Sequence, residues 1–203
     1  TNQNNTDITP ISAAQADNLP DAPLWREARE EELTGMCDVK KTFGPLPVEE
    51  AQALDPYFKF MKLIWVFKRK MANGICIRRK ARLVAQGFAA IFGKHYNKTH
   101  APVIRQATWN AIVILANQYE MFHRHADATQ AFLNSLLPKR IPMTLPKGTT
   151  YMGSTYVWVY NAIYGLPNAG HHWNINSHKA ILLSEPRFTH SVADPCLFFI
   201  IEK

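Results

Sequence analysis

The sequence is short of the features that define several large protein classes. Its 203 residues include three cysteines, Cys37, Cys76 and Cys196. An odd number at such wide spacing gives neither a disulfide framework nor a zinc pattern, and fits a reducing compartment. The longest apolar runs, Ala111 to Ala116 and Cys196 to Ile201, fall far below the roughly 20 residues that span a bilayer. The opening TNQNNTDITP has no basic start followed by an apolar core, so no secretory signal is expected. His123 with His125 and His171 with His172 lack cysteine or acidic partners at a zinc spacing, which leaves them structural or solvent-facing. The most informative absence is of acid. Residues 1–58 hold eleven acids and four bases, whereas residues 59–105 hold twelve bases and no acid. A run of this kind repels itself unless solvent or a polyanion compensates it. Phosphate is the natural partner, with a solvated basic face as the alternative.

What is present points to one mixed core. With 47% hydrophobic residues, the chain can bury one sizeable core, or a core with a small lobe. Residues 1–22 are polar and poor in aromatics, so a disordered linker is expected there. Asp21 or Pro23 then punctuates a helix start, with Leu24 and Ala28 on its apolar face. Lys41 to Pro56 carries three prolines and reads as an irregular connector. Ile64 to Lys70 and Ile75 to Ala85 flank Asn73-Gly74, which predicts an antiparallel hairpin bearing most of the bases. Beyond Pro102 the pattern predicts a helix over Ile104 to Tyr119, its stripe running through Ala107, Ala111, Ile114 and Leu115. A strand near Met121 to Ala126 and a short helix over Gln130 to Leu137, broken by Pro138 and Pro142, come next. A strand over Tyr156 to Ile163, a helix over Asn168 to Ser184 and a buried strand over Cys196 to Ile201 complete the reading. The fold class expected is α+β, an antiparallel sheet with packed helices and a basic hairpin.

Asp127, in HADATQAFLN, stands where an apolar run gives way to a polar turn. A carboxylate at the carboxyl end of a strand can face a cleft and bind a hard cation; an aspartate there can equally cap the next turn.

Seven segments in fixed order carry a resemblance: IWVFKRK (Ile64 to Lys70), RKARLVAQGF (Arg79 to Phe88), HAPVIR (His100 to Arg105), DATQAFLN (Asp127 to Asn134), IPMTLPKG (Ile141 to Gly148), IYGLPNAGHHW (Ile163 to Trp173) and DPCLFF (Asp194 to Phe199). Together they resemble the reverse transcriptase of copia-type (Pseudoviridae) retrotransposons. The resemblance implies a right-hand polymerase fold, with fingers over residues 23–105 and a partial palm over 106–203. It implies RNA-directed DNA synthesis, in which a primer 3′-hydroxyl attacks an incoming deoxynucleoside triphosphate held by two Mg²⁺ ions. The partners implied are a template-primer, the triphosphate and the remainder of a Pol polyprotein, including integrase, thumb and ribonuclease H. The location implied is intracellular, in a virus-like particle or the nucleus.

Position by position, Asp127 matches the first catalytic and metal-binding carboxylate. Phe132 matches the aromatic beneath the sugar, although a core aromatic fits the residue type as well. Gln130 and Ala131 match positions whose backbone N–H groups face the triphosphate. Lys80 and Arg82 match the phosphate-pairing strand, and Asn168 a position beside the nucleotide. Lys68, Lys70, Arg78 and Arg79 are expected to contact nucleic acid. Pro167, Gly170, His171 and Ser135 depart from the family's usual Lys, Pro, Arg and Gly. No Tyr-x-Asp-Asp segment, source of the remaining catalytic carboxylates, follows DPCLFF before Lys203. The 203-residue chain is therefore expected to be catalytically silent alone; the alternative is a decayed or non-catalytic nucleic-acid-binding remnant.

Overall fold

A computed structural model describes residues 8–57 and 59–201. The disorder expected for residues 1–7 lies outside them, and over residues 8–22 the structure differs from that expectation. Ser12 accepts a hydrogen bond from the Gln15 amide and opens helix α1 (Ala13–Asp17), whose Ala16 is fully buried. The Ile8 carbonyl accepts from the Arg69 guanidinium at 3.0 Å. Small alanines let this short helix sit close to the core, a contact that composition alone does not reveal.

Helix α2 (Ala22–Thr34) starts where Asp21 and Pro23 place it. Its buried face is Trp25, Ala28 and Glu32, while Leu24 is exposed. It runs into a π-helical turn, Gly35–Val39. The expected irregular connector is instead strand β1 (Phe43–Pro45) and helix α3 (Val48–Leu54). Its prolines fall at element ends, where a missing N–H costs nothing.

Strands β2 (Met61–Ala72) and β3 (Ile75–Ala85) form the expected hairpin, turned by Asn73 at φ 50° and Gly74 at φ 78°, both left-handed as a tight two-residue turn requires. After helix α4 (Gln106–Gln118) comes β4 (Leu136–Thr144), although Pro138 and Pro142 argue against a strand. A register shift between Leu136 and Ile141 accommodates Pro138. Pro142 lies outside the β2 pairing, which uses only Met143 and Thr144. Strand β5 (Tyr156–Asn161) and helix α5 (Ala169–Ser184) follow. The expected final strand reduces to β7 (Phe198–Phe199), paired with β6 (Thr189–His190).

The main sheet has the order β1-β5-β4-β2-β3. It is mixed rather than purely antiparallel, because β2 and β4 pair in parallel. One face, through Leu63, Trp65, Phe67, Leu83, Met143, Val157 and Val159, builds the main core with Trp25 and Met36. The other carries a small cluster of Leu46, Ala51 and Trp158.

Two further expectations fail around α4. Residues 121–128 form no strand, and Met121 and Phe122 are exposed. A strand needs a neighbour for its N–H and C=O groups, and none of the described strands pairs with this segment. The stripe through Ala107, Ala111, Ile114 and Leu115 is also exposed; Ala116 is the buried residue of α4.

Candidate functional site

Alternation along the hairpin sorts its cations. Met61, Leu63, Trp65 and Phe67 point into the core, so Lys62, Ile64, Val66, Lys68 and Lys70 point away from it. In register, Val66 stands opposite Arg82, Lys68 opposite Lys80 and Lys70 opposite Arg78. Two directly opposed cation pairs therefore share one face, an arrangement that is destabilising without counter-charge. Arg78 finds such a charge in Glu31. Arg79 does not belong to this surface. It points to the other face and donates to Asp21 at 2.9 Å, so its expected role in nucleic-acid contact is corrected to a structural one.

Asp21 is the anchor beneath the hairpin. Its carboxylate also pairs with Arg69 at 2.9 Å and accepts from the Trp25 indole at 3.1 Å. Burial opposes its charge, but hydrogen bonds from Arg69 and Arg79 outweigh that penalty and hold its pKa below the ordinary value.

At the edge of β3 a second cluster assembles. The Glu32 carboxylate accepts the Leu83 N–H at 3.3 Å and a hydrogen bond from the Gln130 side chain, with Lys80 and Arg82 nearby. Burial pushes its pKa up despite these partners. The Ala85 N–H donates to the Tyr164 carbonyl at 2.8 Å. Both contacts occupy outward N–H groups of an edge strand.

Tyr164 joins the cluster together. The Arg82 guanidinium lies 5.4 Å from its ring centre, and the Phe132 ring meets it edge-on at 5.0 Å. Burial raises the Tyr164 pKa; Arg82 pulls it down, and the Glu32 and Asp127 carboxylates push it up. Asp127 itself is exposed.

The turn after Asp127 is shaped by Gln130, at φ 50° and ψ 47°, and by Asn134, whose side chain donates to the carbonyls of Thr129, Gln130 and Ala131. Gly35 makes room for it, since a Cβ there would meet Gln130 Nε2 at 2.7 Å. The Asn161 side chain then docks the turn by donating to the Leu133 carbonyl at 2.6 Å.

Arg82 and Phe132 thus meet at Tyr164, and Gln130 at Glu32, with Ala131 in the same turn; Lys80 and Asp127 lie near enough for their charges to act on Glu32 and Tyr164 respectively. Asn168 does not join them: it lines a separate cavity with His171 and His172. Tyr164 and Glu32 were not singled out from the sequence. The available signal for Glu32 was a charge in helical register with Trp25 and Ala28, on the stripe that must be buried.

Among the described residues, no group of three or more His, Cys, Asp or Glu side chains could hold a metal ion. Asp127 offers one carboxylate, and Glu32 is committed to Leu83 and Gln130, so these residues do not by themselves make a two-metal site. No described helix is long and apolar enough to cross a membrane.

A cationic hairpin face meeting a carboxylate-bearing turn is an arrangement suited to phosphate esters. The model of the family described as reverse transcriptase (RNA-dependent DNA polymerase) matches residues 55–201, and the chain belongs to that family. It is 29% identical over 143 residues to the retrovirus-related Pol polyprotein from transposon TNT 1-94 of Nicotiana tabacum, covering 68% of this chain and 10% of that protein. It is 31% identical over 139 residues to the corresponding polyprotein from transposon RE2 of Arabidopsis thaliana, covering 67% and 9%. An uncharacterized mitochondrial protein of Arabidopsis thaliana is 36% identical over 101 residues, covering 49% and 55%. These relatives bear out a copia-type reverse transcriptase region. The chain spans about a tenth of the length of the Pol polyproteins it matches. No solved structure matches it significantly.

Proposed function

We propose that this chain is the fingers and the first part of the palm of an RNA-directed DNA polymerase, working within a Pol polyprotein. The observation that carries the reading is the contact of Arg82 and Phe132 with Tyr164 beside the Gln130–Glu32 hydrogen bond, with Lys80 and Asp127 near enough for their charges to act on this cluster. In this reading Lys80 and Arg82 pair with the triphosphate. The Gln130–Ala131 turn presents backbone N–H groups to it, and Phe132 bounds the sugar. Lys68, Lys70 and Arg78 hold template-primer by its phosphates. Asp127 supplies one of the carboxylates on which Mg²⁺ chemistry depends, and further carboxylates come from elsewhere in the polyprotein. The exposed apolar side chains of α4, among them Trp109, Ile114 and Leu115, with Phe122 beyond it, dock against that additional sequence.

The test is a chimaera in which residues 24–201 replace the matching segment of a copia-type polymerase, assayed by primer extension on poly-A with oligo-dT. Extension that is lost on Asp127→Asn is expected. Unchanged extension by the Asp127→Asn chimaera would overturn the assignment. The 203-residue chain alone is expected to bind template-primer without extending it; robust synthesis by it would refute that part.

A second reading, a non-catalytic nucleic-acid-binding remnant, draws on Asp127 being the site's one carboxylate not engaged by the protein itself, Glu32 being held by Leu83 and Gln130. It predicts a chimaera that binds template-primer but never extends it, with or without Asp127.

A further inference from the structure

A concavity among the described residues lies away from the Tyr164 cluster. It is a cavity of about 620 Å³ between the end of α3, residues 93–98, the middle of β4 and the start of α5. None of Glu32, Lys80, Arg82, Asp127, Gln130, Phe132 or Tyr164 lines it. Its lining holds Lys59, Lys94, Lys98, Lys139 and Arg140 against one acid, Asp55. Five cations facing one carboxylate around a concave surface concentrate anions.

Two features make this more than a basic surface. Asn168 is 5% exposed, and its Oδ1 is buried with no hydrogen-bond partner among the described residues. Its Nδ2 lies 3.0 Å from His172 Nε2. Burial and the neighbouring His171 lower the His172 pKa, so the ring is neutral near pH 7 and accepts from that amide. The orphan oxygen is left as an unpaired acceptor on a residue that lines a cavity otherwise rich in donors; a buried polar atom without a partner is costly. The second feature is Arg140, whose guanidinium carbon sits 3.9 Å from the Trp158 ring centre. Trp158 is in turn fixed by donating to Glu50 at 3.1 Å. A guanidinium held in this way is a platform for a nucleobase.

The cavity is also continuous with the cationic hairpin. Lys62 stands beside Thr144, and Thr144 beside Tyr156, with Pro142 beside Trp158. These positions share the sheet face that carries Lys68 and Lys80. A polyanion following that face is led from the hairpin to the cavity mouth.

We propose that this cavity binds one or two nucleotides of a single-stranded polynucleotide, with the base on Arg140, an exocyclic amine donating to Asn168 Oδ1, and the backbone among the lysines. The volume lies within the usual range for a small-molecule site of about 300–1,000 Å³, and duplex is too wide to enter. The inference rests on the nucleic-acid reading above, and extends it to a site apart from the nucleotide cluster.

The experiment is fluorescence anisotropy of the 203-residue chain with labelled 12-mer oligo(dA), 12-mer oligo(A) and a blunt 12-base-pair duplex, each titrated across KCl. Arg140→Ala and Asn168→Asp are each expected to weaken single-strand binding about tenfold, with duplex binding changed less than about twofold. Lys68→Ala is expected to weaken all three. Arg140 is exposed, so its variant remains informative should Asn168→Asp fail to fold. A selective loss with either single strand supports the site, and the more affected probe identifies the strand. Equal losses on duplex, or no loss from Arg140→Ala while Lys68→Ala still acts, would overturn the cavity alone. Absence of salt-sensitive binding to any probe would overturn both the cavity and the nucleic-acid reading.

Discussion

The Gly165 carbonyl occupies the space that a side chain on Gly87 would need. Gly165 itself, at φ +86°, leaves no room for a Cβ against the Ala85 carbonyl. Two sequence segments almost eighty residues apart therefore touch backbone to backbone, and the contact holds the Tyr164 carbonyl on the Ala85 N–H. Because the obstruction is backbone, it cannot swing aside as a flexible side chain would. Gly87→Ala is expected to cost about 1–3 kcal/mol and to loosen Tyr164 from Arg82. Urea denaturation reads the first effect, and weaker oligonucleotide binding by the folded variant the second. A variant as stable as the parent would show that the loops separate freely.

Asp21 illustrates a different kind of dependence. It serves Arg69, Arg79 and Trp25 from a site that is almost wholly buried. Asp21→Asn leaves two guanidinium groups without their counter-charge, and is expected to cost about 3 kcal/mol. Its pKa is lowered from 3.8, so the carboxylate's contribution is full above that value and disappears as pH falls through the lower, folded one. Chemical denaturation at pH 6 and pH 3 should show the gap between parent and Asp21→Asn closing in acid. A gap independent of pH would deny the ion pair this role.

Arg79 and Lys80 are neighbours with opposite assignments, which makes them a clean pair to compare. Lys80→Ala is expected to reduce the slope of log affinity against log salt by about one for template-primer, with little loss of stability. Arg79→Ala removes a half-buried partner of Asp21, so its effect should appear in the denaturation midpoint. Anisotropy and urea unfolding on both variants decide it; interchanged results would place Arg79 on the binding face.

How much of this was legible follows from what the sequence pattern encodes. The hairpin was readable because Asn73-Gly74 names its turn and alternation names its faces, so Arg78, Lys80 and Arg82 could be placed on one side in advance. Asp127, Gln130 and Phe132 came from a motif. The meaning of Arg79 was not readable, since alternation gives its face but not that Asp21, 58 residues away, waits there. β4 was missed because its prolines look prohibitive until the register shift at Pro138 is known. The Met121 to Ala126 strand failed for the converse reason: its composition favours extension, but pairing depends on a neighbour elsewhere in the chain. Asn168 was singled out for its side-chain amide, yet its placement in a separate cavity depends on how α5 meets residues 93–98.

Ser135 is one of the departures from the family pattern, and its surroundings give that departure a consequence. Its hydroxyl oxygen is buried and has no hydrogen-bond partner among the described residues, while its backbone carbonyl is used by the Ala162 N–H at 2.7 Å. Removing the hydroxyl relieves a desolvated group without touching that hydrogen bond. Ser135→Ala is expected to raise stability by about 1 kcal/mol, read as a higher urea midpoint with an unchanged slope. A lower midpoint would mean that the hydroxyl finds a partner in solution.

Glu32 provides a second pH effect, opposite in sign to that of Asp21. Burial raises its pKa from 4.5 in the folded chain, so the protonated form is the one that folding favours. That contribution is fully present below 4.5 and is lost as pH rises through the raised folded value. Glu32→Gln keeps a neutral acceptor for the Leu83 N–H and has no proton to lose. The stability of the parent relative to Glu32→Gln should therefore fall between pH 4.5 and pH 7, the range above the window in which Asp21 acts. Denaturation midpoints at pH 4, 5.5 and 7 separate the two groups, because Asp21→Asn changes the acid side and Glu32→Gln the neutral side. Should the difference between parent and Glu32→Gln hold constant across that range, Glu32 would be ionised at no cost, and its carboxylate would be a fixed counter-charge to Lys80 and Arg82 rather than a strained anchor for the Gln130 turn.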